Sequence, residues 1–418
     1  MATDAKAIED ASLTGGTAGL MERYGDTMMH TFNPQRVFVR GAGSQLWDAD
    51  AKQYTDFLCG LAVNVLGHCH PAVQAAVAAQ LGTLDHISNI FASPTQVALA
   101  ERLVRIVRGV DVAGESDTAI PVEVRVFFTN SGAEANEAAF KLTRLTGRTK
   151  VVAMEGSFHG RTMGAVAITS TEKYRKPFEP LPGEVVFVPY GDVAALEREV
   201  DADCAAVVLE PVQGENGVIP APDGYLAAAR ELTDQVGALL WVDEVQTGLG
   251  RCGEWLVSIA DGVLPDIITV AKGLGNGFPV GACLAIGETA NAFTPGAHGT
   301  TFGGNPVAAA AGLAVLDVLE CEGLVAKANT LGAYLVSALM ATNNPHIVAV
   351  RGRGLLRGIV LDQPIAAKLQ LALLDAGWVV NAPRETVIRV APPLITTTAE
   401  LDAFVAVFTT VLDRVVLE

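Results

Sequence analysis

Charge is scarce in this sequence, and what there is leans one way. Of 418 residues only 18% are Asp, Glu, Lys or Arg, with 46 acids against 29 bases and a net charge of −17. Such a surface repels polyanions, which excludes nucleic acid as a partner while leaving room for a local basic pocket that takes a small dianion. Cysteine is sparse too: Cys59, Cys69, Cys204, Cys252, Cys283 and Cys321 form no Cys-x-x-Cys pair, the pattern of free thiols in a reducing compartment. The triplet His68-Cys69-His70 has no second ligand cluster spaced to close a tetrahedron and runs into Pro71, so it reads as a turn and no metal is expected. The densest apolar run, Val307 to Leu316, stops at Asp317 and is too short for a bilayer, so no membrane span is expected. The first ten residues carry Asp4, Lys6, Glu9 and Asp10 with no apolar stretch behind a basic one, so a secretory leader is not expected and the chain reads as cytoplasmic. Internal repeats and low-complexity linkers are missing, and the glycines after Lys272 lack the Gly-x-Gly-x-x-Gly spacing of a dinucleotide fingerprint.

What is present is apolar and ordered. Half the residues are hydrophobic, enough for a large core and two domains, or one with an appendage. Seven short runs read as strands: Val124–Phe128, Val151–Met154, Val185–Val188, Ala205–Leu209, Ala238–Val242, Ile267–Val270 and Ala282–Ile286. They are apolar without alternation and separated by helical stretches, which predicts an α/β fold with a mainly parallel seven-stranded sheet between helices. Asp223 is the expected N-cap of a helix from Tyr225 to Val236 closed by Gly237, and Asn305-Pro306 opens a long alanine-rich helix. Residues from about 322 to 418 change to an α+β style. The expected division is therefore 1–75 packing with a C-terminal small domain of 322–418, around a large domain of 76–321.

Two residues at strand tips carry the chemistry. Asp243 ends one apolar run and Lys272 another. A lysine amine can hold a pyridoxal phosphate as a Schiff base while an aspartate keeps its ring nitrogen protonated. Taken alone, such a pair is equally an ordinary strand-end acid and a solvated base. Around it, Ser131-Gly132-Ala133-Glu134 follows a strand and opens a helix, where a capping box and free N–H groups form a phosphate cradle. The loop Ser157 to Thr162 offers Phe158 for stacking on a flat ring and Arg161 for gripping a carboxylate. Gln246 shares the Asp243 tip, and the glycines after Lys272 keep backbone close to the lysine.

Together these motifs, with Trp47-Asp48, Ala62 to His68, Glu210-Pro-Val-Gln213-Gly-Glu215, His298-Gly-Thr300-Thr301 and Ile388-Arg389-Val-Ala-Pro-Pro393, resemble the class-III (subgroup II) aminotransferases of pyridoxal phosphate fold type I. The resemblance covers nearly the whole chain. It implies Lys272 as the Schiff-base lysine and Asp243 as the pyridinium partner. It further implies Ser131, Gly132, Ala133, Phe158, Glu244, Val245 and Gln246 as cofactor contacts, and Thr301 as a phosphate ligand given by the second subunit of a homodimer. Arg161, with Thr300 beside it, would bind the distal carboxylate. Arg389 would bind the α-carboxylate of 2-oxoglutarate, with Glu215 as its switchable partner.

Leu61 stands where ornithine-specific relatives carry an aromatic residue, so the implied donor is an acylated ω-amine such as N2-acetylornithine, with succinylornithine, N-succinyl-diaminopimelate, 4-aminobutyrate and free ornithine as alternatives. A nicotinamide-dependent dehydrogenase would share the sheet but not the Asp243/Lys272 pair. A cofactor store without turnover has no use for Arg161, Glu215 and Arg389. A mutase or racemase on this fold would work without 2-oxoglutarate.

Overall fold

The computed structural model describes residues 15–110 and 119–417, so the first ten residues read above lie outside it. Three N-terminal strands come first, β1 (Phe38–Ala42), β2 (Gln45–Asp48) and β3 (Gln53–Asp56). There follow β4 (Val124–Thr129), β5 (Lys150–Met154), β6 (Glu184–Val188), β7 (Cys204–Leu209), the small pair β8 (Val212–Gln213) and β9 (Ile219–Pro220), then β10 (Leu239–Asp243), β11 (Ile267–Val270) and β12 (Gly281–Ile286). All seven expected strands form, and they share one sheet in the order β4-β12-β11-β10-β7-β5-β6. Every pairing is parallel except the two made by β12. Strands β5, β7, β11 and β12 are buried along their whole length, which is why their sequences lack alternation.

The two faces of this sheet are sorted by residue parity. Val151, Ala153, Val208, Trp241, Ile267 and Cys283 point to the helix Gly132–Arg144. Val152, Met154, Val207, Leu209, Leu240 and Val242 point to the helices Val193–Glu199 and Tyr225–Val236. Parallel strands stacked this way bring their C-terminal ends to one edge, where α/β sheets bind ligands.

The C-terminal elements β13 (Ile347–Arg353), β14 (Leu356–Leu361), β15 (Trp378–Val379), β16 (Asn381–Arg384) and β17 (Val387–Val390) make an antiparallel sheet ordered β13-β14-β17-β16, with β15 excluded from it. Instead, β15 pairs in parallel with β3 and completes the N-terminal sheet. Phe57 locks this junction by meeting Trp378 and Phe404 at centroid distances of 5.0 and 5.1 Å.

Two expectations about helices change. The N-cap of Tyr225–Val236 is Gly224 at φ 79°, not Asp223, because a left-handed entry displaces the aspartate by one residue. One helix, Leu324–Ala341, is long and apolar enough to cross a membrane by length and composition alone, a property that core helices share. Its Leu324, Ala328, Leu331, Leu335 and Leu339 are buried in the core shared with the helix Thr398–Leu417.

Asn305 caps the helix Pro306–Cys321 by accepting from the N–H groups of Val307 (2.9 Å) and Ala308 (3.4 Å), and its amide donates to the Asp85 carbonyl at 3.0 Å. Asn305→Ala is expected to lower unfolding stability by about 1–2 kcal/mol in urea denaturation. An unchanged midpoint would show that the cap contributes nothing.

Candidate active site

A cavity of about 440 Å³ opens at the C-terminal ends of β4, β5, β7, β10 and β11. At its floor Asp243, 3% exposed, commits both carboxylate oxygens. Oδ2 accepts from Asn136 Nδ2 (2.8 Å) and meets His159 Nδ1 (2.7 Å), while Oδ1 accepts from the Val245 N–H (3.0 Å). Burial alone would push the His159 imidazole down, but the hydrogen bond and charge of Asp243 outweigh it and raise its pKa. Asp243 therefore favours the protonated form of the ring that it holds. Neither His159 nor Asn136 was assigned a role from sequence: they sit in quoted motifs, but nothing local shows that both reach one aspartate.

Lys272 lies across the cavity, half-buried, on a single 3₁₀ turn at φ 43°. A left-handed lysine is uncommon and strained, and such strain clusters at functional positions. Burial lowers its amine pKa and Arg389 adds to the effect, against the pull of Glu215 and Asp243. The turn is fixed by Asn276, whose side chain accepts from the Leu66 N–H (2.8 Å) and donates to the Gly67 carbonyl (3.0 Å). A Cβ on Gly275 would meet the Phe278 carbonyl oxygen at 2.2 Å, so the glycines here serve the tight turn around the lysine. Opposite, residues Cys59 to Ala62 form a left-handed turn with φ between 52° and 66°, and it carries Leu61 at 41% exposure beside the cavity residue Val63.

Arg389, on β17, is 1% exposed. Its Nη1 donates to Glu215 Oε1 (2.7 Å) and Gln246 Oε1 (3.1 Å), and its Nε to Asn381 Oδ1 (2.8 Å). Nη2 has no partner. Burial pushes the Glu215 carboxyl up, but Arg389 and Lys272 outweigh it and hold it below its ordinary range. A buried guanidinium with one unused edge and one removable partner is prepared for an incoming carboxylate.

Ser131, Gly132 and Ala133 line the opposite wall at the start of the 13-residue helix Gly132–Arg144. Ser131 Oγ accepts from the Glu134 N–H as a capping box requires, but the Glu134 carboxylate turns back to Asn130 rather than to Ser131. The N–H groups of Gly132 and Ala133 have no hydrogen-bond partner among the described residues. A Cβ on Gly132 would stand 2.7 Å from Val245, so packing as well as ligand approach calls for glycine there.

Phe158, Arg161, Val245 and Gln246 also line the cavity. Glu244, expected among the cofactor contacts, does not. Its carboxylate is buried away from the cavity and accepts from Thr247, the N–H groups of Val257 and Ser258 and the Ser258 hydroxyl at 2.8–3.0 Å, so it anchors the next helix. Thr300 and Thr301 line a separate cavity with Ser88, Asn89 and Ile90. Thr300 is therefore not beside Arg161 within one chain; its Oγ1 faces Asn130 at 3.5 Å.

Glu210, 4% exposed, completes the floor. Burial pushes its carboxyl from 4.5 to about 7, with His159 opposing and Asp243 reinforcing the rise. Its oxygens accept from the N–H groups of Phe158 (3.0 Å) and Gly214 (3.4 Å). Free N–H groups at a helix start, an aromatic wall, a paired aspartate and a lysine with a depressed pKa fit a flat phosphorylated cofactor bearing an aldehyde and a basic ring nitrogen.

The profile of the class-III aminotransferases matches residues 28–412. The acetylornithine aminotransferase of Mycolicibacterium smegmatis is 53% identical over 395 residues, covering 94% of this chain and 98% of that protein. Among solved structures, the N-acetylornithine aminotransferase of Stenotrophomonas maltophilia superposes with a TM-score of 0.78 at 33% identity, covering 93% of this chain and 98% of that one. An ornithine aminotransferase from Toxoplasma gondii, described with partial occupancy of PLP at its active site, gives 0.90 at 31% identity over 99% and 98%.

Native Glu210 keeps its proton up to about 7, whereas the unfolded chain releases it near 4.5, so this group makes stability fall as pH rises through that window. Glu210→Gln is expected to flatten the fall by roughly 3 kcal/mol in denaturation curves taken across it. Identical slopes in the two proteins would refute the protonated reading.

Proposed function

The chain belongs to the class-III aminotransferase family, and we propose from that premise that it transfers the ω-amino group of N2-acetyl-L-ornithine to 2-oxoglutarate. The products are N-acetyl-L-glutamate 5-semialdehyde and L-glutamate. The observation that carries this reading is Arg389, buried, paired with Glu215 and left with one free edge.

The cofactor of this family is pyridoxal phosphate, which when bound supplies an electron sink that side chains lack. In this reading the Gly132 and Ala133 N–H groups, with Ser131, hold the phosphate, and Phe158 covers the ring. Asp243, fixed by His159 and Asn136, supplies the counter-charge for the ring nitrogen. The Lys272 amine would be the group that holds the cofactor, and its Nζ would be the base for the proton on the donor carbon that bears the amine, a role that the lowered pKa favours.

Arg161 holds the donor's distal carboxylate. While a donor without a second carboxylate is bound, Glu215 keeps Arg389 neutralised. When 2-oxoglutarate enters, its α-carboxylate takes the guanidinium and Glu215 yields. An unpaired buried arginine would cost several kcal/mol, so a partner is required in each half-reaction. Leu61, aliphatic, exposed and two residues from Val63 of the cavity wall, offers no polar partner to a free α-amine, which supports an acylated donor over ornithine.

Thr301 is read as reaching the phosphate of a second copy, which makes the active unit a homodimer. Ile90, Phe91 and Phe302, exposed at 85%, 64% and 60% in or beside the cavity that holds Thr301, support this because apolar surface of that size is ordinarily covered. All six thiols are free, in keeping with a cytoplasmic setting.

With N-acetylornithine, N-succinylornithine, ornithine and 4-aminobutyrate in parallel, kcat/KM is expected to be highest for N-acetylornithine and lowest for ornithine; ornithine in first place would overturn the donor. Lys272→Ala should lose the visible absorbance of the lysine-bound cofactor together with turnover, and normal activity in that variant would remove Lys272 from its role. Sedimentation should show a dimer, whereas a monomer that retains cofactor would remove Thr301 from the phosphate site.

A further inference from the structure

Arg161 is exposed, and among the described residues no carboxylate or hydrogen-bond acceptor holds it. Its contacts are two aromatic faces. The guanidinium carbon sits 3.3 Å from the ring centroid of Tyr174 and 5.6 Å from that of Phe158, and the two rings meet edge to face at 6.3 Å and 86°. A guanidinium laid flat on a ring keeps its N–H donors in the plane and free, the presentation that bidentate recognition of a carboxylate uses.

Tyr174 is itself anchored. It lies in the one-turn helix Glu172–Arg175, and the neighbouring Arg175 stacks on Phe187 of β6 at 4.5 Å while its Nη2 donates to the Ser170 carbonyl at 3.3 Å. Ser170 ties the same segment to the Phe158 loop: its hydroxyl accepts from the Gly156 N–H at 2.7 Å and its N–H donates to the Ser157 carbonyl at 3.2 Å. Tyr174 and Phe158 therefore move as one corner with Arg161 inside it. The Tyr174 hydroxyl makes no hydrogen bond among the described residues, so the ring is the part in use.

We propose that Tyr174 is a positioning residue for substrate binding, its ring holding the Arg161 guanidinium ready for the distal carboxylate in both half-reactions. The proposal rests on the assignment of Arg161 above. A free arginine would have to surrender its rotamers when substrate arrives, and the stack removes that ordering before binding. The effect is therefore expected in KM and not in the proton transfer at Lys272.

The test uses holoenzyme variants and two amines, N-acetylornithine and N-acetyl-1,4-diaminobutane, which keeps the acyl group and the reacting amine but lacks the carboxylate. Tyr174→Ala should raise KM for N-acetylornithine and for 2-oxoglutarate by roughly 5- to 30-fold with kcat near that of the parent. Tyr174→Phe should restore both. The single-turnover rate with N-acetyl-1,4-diaminobutane should be the same in all three proteins. An unchanged KM in Tyr174→Ala, or an equal loss on both amines, would overturn the proposal. Arg161→Ala separates the two layers. If it raises KM for the carboxylated donor while Tyr174→Ala does not, only the role of Tyr174 fails; if it too leaves KM unchanged, the Arg161 assignment fails and takes this proposal with it.

Discussion

A carboxylate with both oxygens engaged inside the sheet edge, Asp243, is the point from which the site is hung. Burying that charge without partners would be prohibitive, and its partners come from three separate places. Asn136 belongs to the helix whose first turn offers the free N–H groups. His159 belongs to the loop that carries Phe158 and Arg161. The Val245 N–H belongs to the segment that leads to Gln246. Satisfying one acid thus sets the start of the helix Gly132–Arg144, the Phe158 loop and the Gln246 segment in register with one another. Glu210 repeats the device one strand over by joining the Phe158 loop to Gly214, next to Glu215.

Arg389 brings in the C-terminal sheet by the same logic. Its ties to Glu215 and Gln246 reach across from β17 to two loops of the large sheet, and Asn381 on β16 fixes its other side. The charge pattern then makes sense of the composition. A chain with a large excess of acid sets Arg161 on the cavity wall and ties Arg389 to Gln246 of that wall, two guanidiniums placed to meet small anions where the surface around them is acidic.

Much of this was legible in the sequence, for identifiable reasons. The seven strands announced themselves because burial on both faces forbids polar residues, and Asp243 and Lys272 stood out because a charge at the tip of an apolar run interrupts it. The ends of elements were less readable. Asp223 lost the cap to Gly224, since a left-handed entry cannot be told from a side-chain cap by composition alone. The Glu244 side chain turns from the cavity to Val257 and Ser258, because which of two adjacent acids faces the cavity depends on the turn after β10. His159, Asn136, Asn276, Asn381 and Tyr174 were invisible as a class. Each acts through a partner on another element, from 8 residues away for Asn381 to 210 for Asn276, and such a contact leaves no periodicity to find.

The left-handed turn at Cys59–Ala62 has a consequence for how this enzyme can change. Leu61, at φ 64°, is two residues from Val63 of the cavity wall. Branching at Cβ crowds the backbone in that conformation, and Val218, at φ 58°, is the one β-branched residue that adopts it among the described residues. Valine, isoleucine and threonine therefore enter position 61 only at a cost in strain, whatever the substrate would prefer. Routes to a change at position 61 pass most easily through unbranched, aromatic or amide side chains, so the main chain weighs on the choice before the pocket does.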